Sequence, residues 1–227
     1  LQVITVMNFK GGSGKTTTTA HLAQYLALRG YRVLAIDLDP QANLTSYFGA
    51  TTTSDTIGAA DLLNPHESVS LADALTVDVA PNIDLIAAVR APLQATERAL
   101  AGEMGRETYL HRALAGVTSI YDWVLIDTPP NTGVLVQNGL IAADAAIAVS
   151  DMDGQAAEGA ATIAGLVAKT ADLPTSSCVF LGVLWTRVKA NRELNRYIEA
   201  DTQHVGLPTF TSRIHERAAI QKAKYQG

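Results

Sequence analysis

Apolar, β-branched runs alternate along this chain with stretches whose apolar residues recur at helical spacing. Val3-Ile4-Thr5-Val6-Met7 predicts a buried strand at about 2–7. Residues 18–29 follow with Ala20, Leu22, Ala23, Leu26 and Ala27 on one face, a helix with Gly30 as its C-cap. Further strands are expected at 32–36, 83–87, 121–127, 145–149, 177–185 and 209–211. Helices are expected at 43–48, 56–63, 71–75, 92–116, 154–170, 191–201 and 216–225, with a polar loop at 51–54. The 92–116 pattern breaks near Gly102 or Gly105. Strand-helix-strand order repeated in this way predicts an α/β fold, a twisted and mostly parallel sheet with helices on both faces. No repeat, low-complexity tract or linker interrupts it, so residues 1–227 are expected to form a single domain.

Composition narrows the classes. A chain of 227 residues, 48% apolar, can bury a sizeable core and is not disordered. No run of 18 apolar residues and no signal-peptide pattern occurs, so neither membrane insertion nor export is expected. The single cysteine, Cys178, excludes a disulfide framework and fits a reducing cytoplasm; its apolar surroundings make it a core residue. The chain starts at Leu1 rather than Met and stops at Gly227 just after a helical pattern, as a chain with trimmed ends would.

Net charge is −5, which argues against wholesale nucleic-acid binding, but the charge is unevenly spread. Residues 1–184 hold 9 Lys and Arg against 18 Asp and Glu, a net of −9, while residues 185–227 hold 8 against 4, a net of +4. A basic segment on an acidic body points to a local polyanion site.

The chemistry concentrates after the first strand, in Asn8-Phe9-Lys10-Gly11-Gly12-Ser13-Gly14-Lys15-Thr16-Thr17. A strand, a glycine-rich turn and a helix are what a phosphate-binding loop requires. Glycines allow backbone N–H groups to approach phosphate oxygens, and the helix N-terminus adds partial positive charge. Lys15 supplies a full charge for β- and γ-phosphates, and the Thr16 hydroxyl can ligate Mg²⁺. The competing reading, a glycine turn with two solvated lysines, leaves the context, spacing and hydroxyl unexplained. Two other stretches belong with the loop. Strand 32–36 leads into Asp37-Leu38-Asp39-Pro40-Gln41, and strand 121–127 ends in Asp127 before Thr128-Pro129-Pro130. Ligands of open α/β sheets bind beyond the carboxyl ends of the strands, which brings Asp37, Asp39 and Asp127 beside the loop. Carboxylates there hold Mg²⁺, directly or through water, or orient the water that attacks a γ-phosphate.

The loop departs from the common phosphate-loop pattern: position 9, where that pattern has glycine, is Phe9, and a second lysine, Lys10, stands beside a glycine pair. With Asp37 to Gln41 and Ile126-Asp127-Thr128-Pro129-Pro130, this Lys-Gly-Gly-x-Gly-Lys-Thr-Thr form resembles the deviant Walker A loop of the ParA/MinD superfamily of P-loop ATPases. The likeness runs over nearly the whole chain, and Asp39-Pro40-Gln41-Ala42-Asn43-Leu44-Thr45 looks like the ParA branch, in its small form without a DNA-reading N-terminal domain. The resemblance implies a P-loop NTPase domain that hydrolyses ATP with Mg²⁺. Residues 10–17 would bind nucleotide, Lys15 within its own subunit and Lys10 across an ATP-sandwich homodimer. Asp39 would position or activate the attacking water, Thr16 would ligate Mg²⁺, and Asp37 and Asp127 would support it. Adenine would sit near Thr186, Arg187 and residues 211–213, including Arg213.

The resemblance also implies a bacterial, cytoplasmic, nucleoid-associated partition protein. The ATP-bound dimer would bind DNA without sequence preference and leave it after hydrolysis stimulated by a ParB-type adaptor, and no membrane would be involved. The basic segment offers Arg187, Lys189, Arg192, Arg196, Arg213, Arg217, Lys222 and Lys224, with Arg192 and Arg196 at i, i+4 on one helical face. The alternatives are a MinD-like positioner on membrane surfaces, a ParA-like positioner of another cargo, and a phosphotransfer enzyme acting on a small molecule. A cluster-bridging ATPase similar to the nitrogenase iron protein needs cysteines that this chain lacks.

Overall fold

The computed structural model describes residues 1–66, 69–115, 117, 120–153, 155–189 and 192–216. The first strand, β1 (Gln2–Met7), enters the phosphate loop, and α1 (Lys15–Leu28) leaves it. Then come β2 (Val33–Asp37), the short helices α2 (Asn43–Tyr47), α3 (Ala59–Leu62) and α4 (Leu71–Ala74), and the hairpin β3 (Leu75–Ala80) and β4 (Ile83–Ile86). Helix α5 (Arg90–Leu100), a 3₁₀ turn (Arg106–Thr108) and α6 (Tyr109–Leu114) lead to β5 (Trp123–Asp127). The chain continues through α7 (Val134–Ala142), β6 (Ala145–Asp151), α8 (Ala156–Ala171), β7 (Val179–Val188), α9 (Arg192–His204) and β8 (Thr209–His215).

Among the described residues one eight-stranded sheet forms, in the order β3-β4-β2-β5-β1-β6-β7-β8. Every pairing is parallel except β3 with β4. Strands β1, β2 and β5 sit in the middle and are buried on both faces, which is why they read as unbroken apolar runs rather than alternating ones. One face is covered by α1, through Ala20, Ala23, Leu26 and Ala27 against Ile4, Val6, Ala35 and Leu125. The other face is covered by the α3, α5, α6, α7 and α8 helices, through Leu93, Leu110, Leu135, Leu140 and Ile163 among others. The expected fold class, a mostly parallel sheet with helices on both faces as in P-loop NTPases, is what the chain adopts.

Three expectations need correction. Residues 71–75 begin as a helix but turn at Leu75 into strand β3, which closes against β4 at Pro81-Asn82 with Asn82 at φ 61. The antiparallel partner lies only a turn away, so pairing overrides the weak local helical pattern. Helix α7 was not foreseen: eight of its nine residues are buried, Asn138 included, so it shows no polar face and no 3.6-residue alternation. Strands β7 and β8 run to Val188 and His215, past the expected ends, because each pairs with its neighbour over polar residues. The expected break in 92–116 falls where Gly105 takes a φ of +67 between α5 and the 3₁₀ turn. The expected final helix lies outside the described residues beyond Glu216.

Candidate nucleotide site

Strand order reverses around β1, which lies between β5 and β6 although both come later in the chain. A crevice opens outside the carboxyl ends of the strands at such a switch point, and the phosphate loop lies in it. Gly12 at φ 76 and Gly14 at φ 94 give the loop a left-handed course that side-chain-bearing residues rarely follow. Gly14 is the N-cap of α1, and no acidic residue occupies the first turn of that helix. Its positive end is therefore left for an external anion.

Lys15 is 6% exposed, and its Nζ donates to the Lys10 carbonyl at 3.4 Å. Burial lowers its ammonium from the ordinary value, while Asp127 and Asp39 act in the opposite sense. Thr16 Oγ1 donates to Asp127 Oδ2 at 2.6 Å, and Asp127 Oδ1 is buried without a hydrogen-bond partner among the described residues. Thr17 is half-buried on the next turn, and Gly11 is exposed at the loop's tip.

The three acids meet as expected. Strands β2 and β5 pair with Asp37 opposite Asp127, so two fully buried carboxyls stand side by side at the sheet's centre. Burial pushes the Asp37 carboxyl up to about 6, against hydrogen bonds that favour its ionised form. Burial, and then Asp37, hold the Asp127 carboxyl well above the usual carboxylate range. Two buried acids with an unpartnered oxygen and an adjacent hydroxyl are the donor set a hard divalent cation needs, so the residues fit Mg²⁺. Asp37 Oδ2 already accepts from Thr45 N and Oγ1 at 2.9 and 2.8 Å, and Oδ1 accepts from Asp39 N at 3.1 Å. Asp37 therefore also ties down the turn that carries Asp39. Asp39 Oδ1 accepts from Gln41 N at 2.9 Å, and Oδ2 has no protein donor among the described residues.

Lys10 is held by carboxylates of its own chain. Its side chain is 54% exposed, and Nζ lies 3.0 Å from Asp151 Oδ2 and in short contact with Asp153. These carboxylates, Asp153 foremost, raise the Lys10 ammonium above its ordinary value. Asn8 holds the same shoulder of the loop, donating from Nδ2 to Val149 O at 2.6 Å and accepting from Lys10 N at 3.1 Å. Thr45, Asn8, Asp151 and Asp153 were missed from the sequence. Asp151 carried the signal used for Asp37 and Asp127, an acid closing an apolar strand; the others are marked only by tertiary contact.

Thr186 and Arg187 do reach the site, at the phosphate loop's backbone. Thr186 Oγ1 donates to Ser13 O at 2.6 Å, and Arg187 Nη1 donates to Gly12 O at 3.4 Å. Arg213 is turned to another task, an ion pair with Glu199 of α9 at 2.8 Å. Lys189 and Arg196 are exposed, and Arg192 opens α9. Arg217, Lys222 and Lys224 lie outside the described residues. No described helix is long and apolar enough to cross a membrane.

This loop, helix and acid arrangement is that of a P-loop nucleotide-binding fold. Residues 1–176 match the AAA domain family model, and the chain belongs to that family. Within it the ParA-type resemblance is borne out. The chain is 34% identical over 194 residues to the sporulation initiation inhibitor protein Soj of Bacillus subtilis, covering 85% of this chain and 75% of that protein. It is 29% identical over 227 residues to the chromosome-partitioning ATPase Soj of Treponema pallidum, covering 100% of this chain and 87% of that protein. A putative replication protein A of Rhizobium rhizogenes is 43% identical over 155 residues, 63% of this chain; the match spans only 38% of that relative's length.

Among solved structures, a cobyrinic acid a,c-diamide synthase of Mycobacterium smegmatis with bound ADP and magnesium superposes with TM-score 0.86 at 30% identity, covering 99% of this chain and 91% of that one. A putative plasmid partition protein of Borrelia burgdorferi bound to AMPPNP superposes with TM-score 0.80 at 25% identity, covering 96% and 88%.

Proposed function

We propose that this chain binds ATP with Mg²⁺, hydrolyses it to ADP and phosphate, and uses the cycle in DNA partition. The observation that carries the reading is the convergence of Lys15, the Thr16–Asp127 pair and Asp39 on one crevice at the head of α1. The ADP, magnesium and AMPPNP in the similar structures support it, as does the partition role of the Treponema relative.

Lys15 and the loop's N–H groups bind the phosphates. Thr16 and Asp127 would hold Mg²⁺, with Asp37 beside them. When bound, the ion neutralises charge on the phosphate oxygens. Asp39 Oδ2 faces no protein donor among the described residues and orients a water toward the γ-phosphorus. A new phosphorus–oxygen bond forms as the bond to the bridging oxygen breaks; ADP departs, and the water's proton passes to the medium or the released phosphate.

The finer reading follows the family. Lys10 leaves Asp151 and Asp153 to reach the nucleotide of a second subunit, giving an ATP-dependent homodimer. Lys189, Arg192 and Arg196 present positive charge to DNA phosphates, so binding is sequence-independent and steeply salt-dependent. A ParB-type adaptor stimulates hydrolysis, and the protein works in the bacterial cytoplasm on the nucleoid.

The test is binding to random-sequence duplex DNA with ATP, with ADP and without nucleotide across a salt series, alongside phosphate release with no acceptor present. Binding with ATP alone, falling steeply with salt, supports the reading. No DNA binding in any state overturns the partition role. No phosphate release without an acceptor overturns the ATPase in favour of a synthase or transferase.

A further inference from the structure

We propose that Thr186, with Arg187, is a positioning residue for phosphate binding that acts through the loop's peptide groups rather than on the base. The inference rests on the phosphate-loop reading above. Thr186 is 3% exposed and donates from Oγ1 to Ser13 O at 2.6 Å, linking residues 173 apart. A trans peptide is planar, so its N–H points opposite to its C=O. Holding the Ser13 carbonyl therefore aims the Gly14 N–H, and holding the Gly12 carbonyl aims the Ser13 N–H. These are N–H groups of the glycine-rich turn that a phosphate would meet. The Thr186 hydroxyl holds the Ser13 carbonyl and the Arg187 guanidinium holds the Gly12 carbonyl, so the N–H of each peptide is turned the opposite way, toward an anion.

The structure holds Thr186 and Arg187 for this task. Strand β6 pairs with β7 so that Asp151 stands opposite Thr186, and the hydroxyl is fixed by a strand paired on both sides in the sheet. Arg187 has φ 51, a left-handed conformation uncommon for a residue with a side chain. The β7–β8 register shifts between Trp185 and Val188, around this residue. The turn at Arg187 sends its guanidinium back to Gly12 O at 3.4 Å. Conformations of this kind persist where the surroundings over-determine them, often at ligand clamps. An anion on the Gly14 N–H polarises the same peptide and strengthens the Thr186 hydrogen bond on its far side. Beyond Arg187 the chain runs into Lys189, whose carbonyl accepts from Asn195 Nδ2 of α9 at 3.0 Å, so the basic segment is tethered to the same clamp.

The experiment compares wild type, Thr186→Val, Thr186→Ser and Arg187→Gly in competition binding against a fluorescent ATP analogue, with ATP and with inorganic tripolyphosphate as competitors. Loss of one neutral hydrogen bond predicts that Thr186→Val weakens both competitors by the same factor, roughly 3- to 10-fold. Thr186→Ser keeps the hydroxyl and returns both to within about twofold of wild type. Arg187→Gly suits the left-handed backbone and weakens both competitors equally. A loss confined to ATP assigns Thr186 to the base and overturns the proposal; so does no loss for either competitor, or failure of tripolyphosphate to compete with wild type. Should Thr186→Val not fold, judged by its melting curve, Arg187→Gly decides by the same criterion. A wild-type protein that binds no ATP at all sinks the function reading instead.

Discussion

Thr16 Oγ1 and Asp127 Oδ2 lie 2.6 Å apart, the hydroxyl of the phosphate loop donating to the acid at the end of β5. The pair joins the first turn of α1 to the sheet's central strand, and it leaves the other Asp127 oxygen buried and unpartnered among the described residues. Asp37 stands opposite in the register. Without a cation, the site buries acid groups that water would solvate better.

Replacing that acid separates its two roles. Asp127→Asn should reduce the Mg²⁺-dependent part of ATP affinity by about 10- to 100-fold, the scale seen when a metal's supporting groups are removed. In metal-free buffer at pH 7 the same variant should melt higher than wild type, by on the order of 1 kcal/mol, because a buried acid is exchanged for a neutral group. Titration calorimetry with and without EDTA, and melting curves in EDTA, check both. Equal affinities with and without Mg²⁺ in wild type would contradict the assignment.

Asp39 should affect chemistry and spare binding. Its Oδ2 has no protein donor among the described residues, whereas Oδ1 holds the Gln41 amide. Asp39→Ala should bind ATP within a few fold of wild type, lower the hydrolysis rate by about 10²-fold or more, and accumulate the ATP-bound dimer. Phosphate release and light scattering behind a sizing column measure the two. Normal turnover in this variant would remove Asp39 from the catalytic role.

The Lys10 ion pairs should be cheap to break. The lysine side chain is 54% exposed, and Asp153 is 37% exposed. Exposed pairs contribute less than about 1 kcal/mol, so Asp153→Asn should leave the melting midpoint nearly unchanged. If Lys10 crosses to a second subunit as proposed, Lys10→Ala should keep ATP binding by the monomer and form no ATP-dependent dimer. A large loss of stability in Asp153→Asn would show that the pairs hold the fold together and that Lys10 is not free to leave.

Cys178 should be inert in the native protein. It is 2% exposed, and burial, with Asp144 adding to it, pushes its thiol up to about 12. The unfolded thiol ionises near its ordinary value of 9.0, so this group favours unfolding as pH rises from there toward about 12. At pH 8, iodoacetamide should label the protein only in denaturant, and mass spectrometry counts the adducts. Rapid native labelling would place the cysteine at the surface.

Much of the site was legible because its signals are local. Gly12, Gly14 and Lys15 are set by what a phosphate loop demands of consecutive residues. Asp37 and Asp127 stood out because an acid closing an apolar run is costly unless it has work to do. Helix α7 was not legible, since a helix buried on every side carries no amphipathic period. The β3 strand escaped as well, because its identity depends on β4 as a partner.

By itself, then, the sequence determined the alternation of strands and helices, the phosphate loop with its second lysine, and the three acids. Each is a property of residues near one another in the chain. Tertiary structure alone decided which acid faces which, that Lys10 rests on Asp151 and Asp153, and that Thr186 grips the loop at Ser13 across 173 residues. Strand order and register make those contacts, and both are set by the packing of the whole sheet, which no local stretch of sequence encodes.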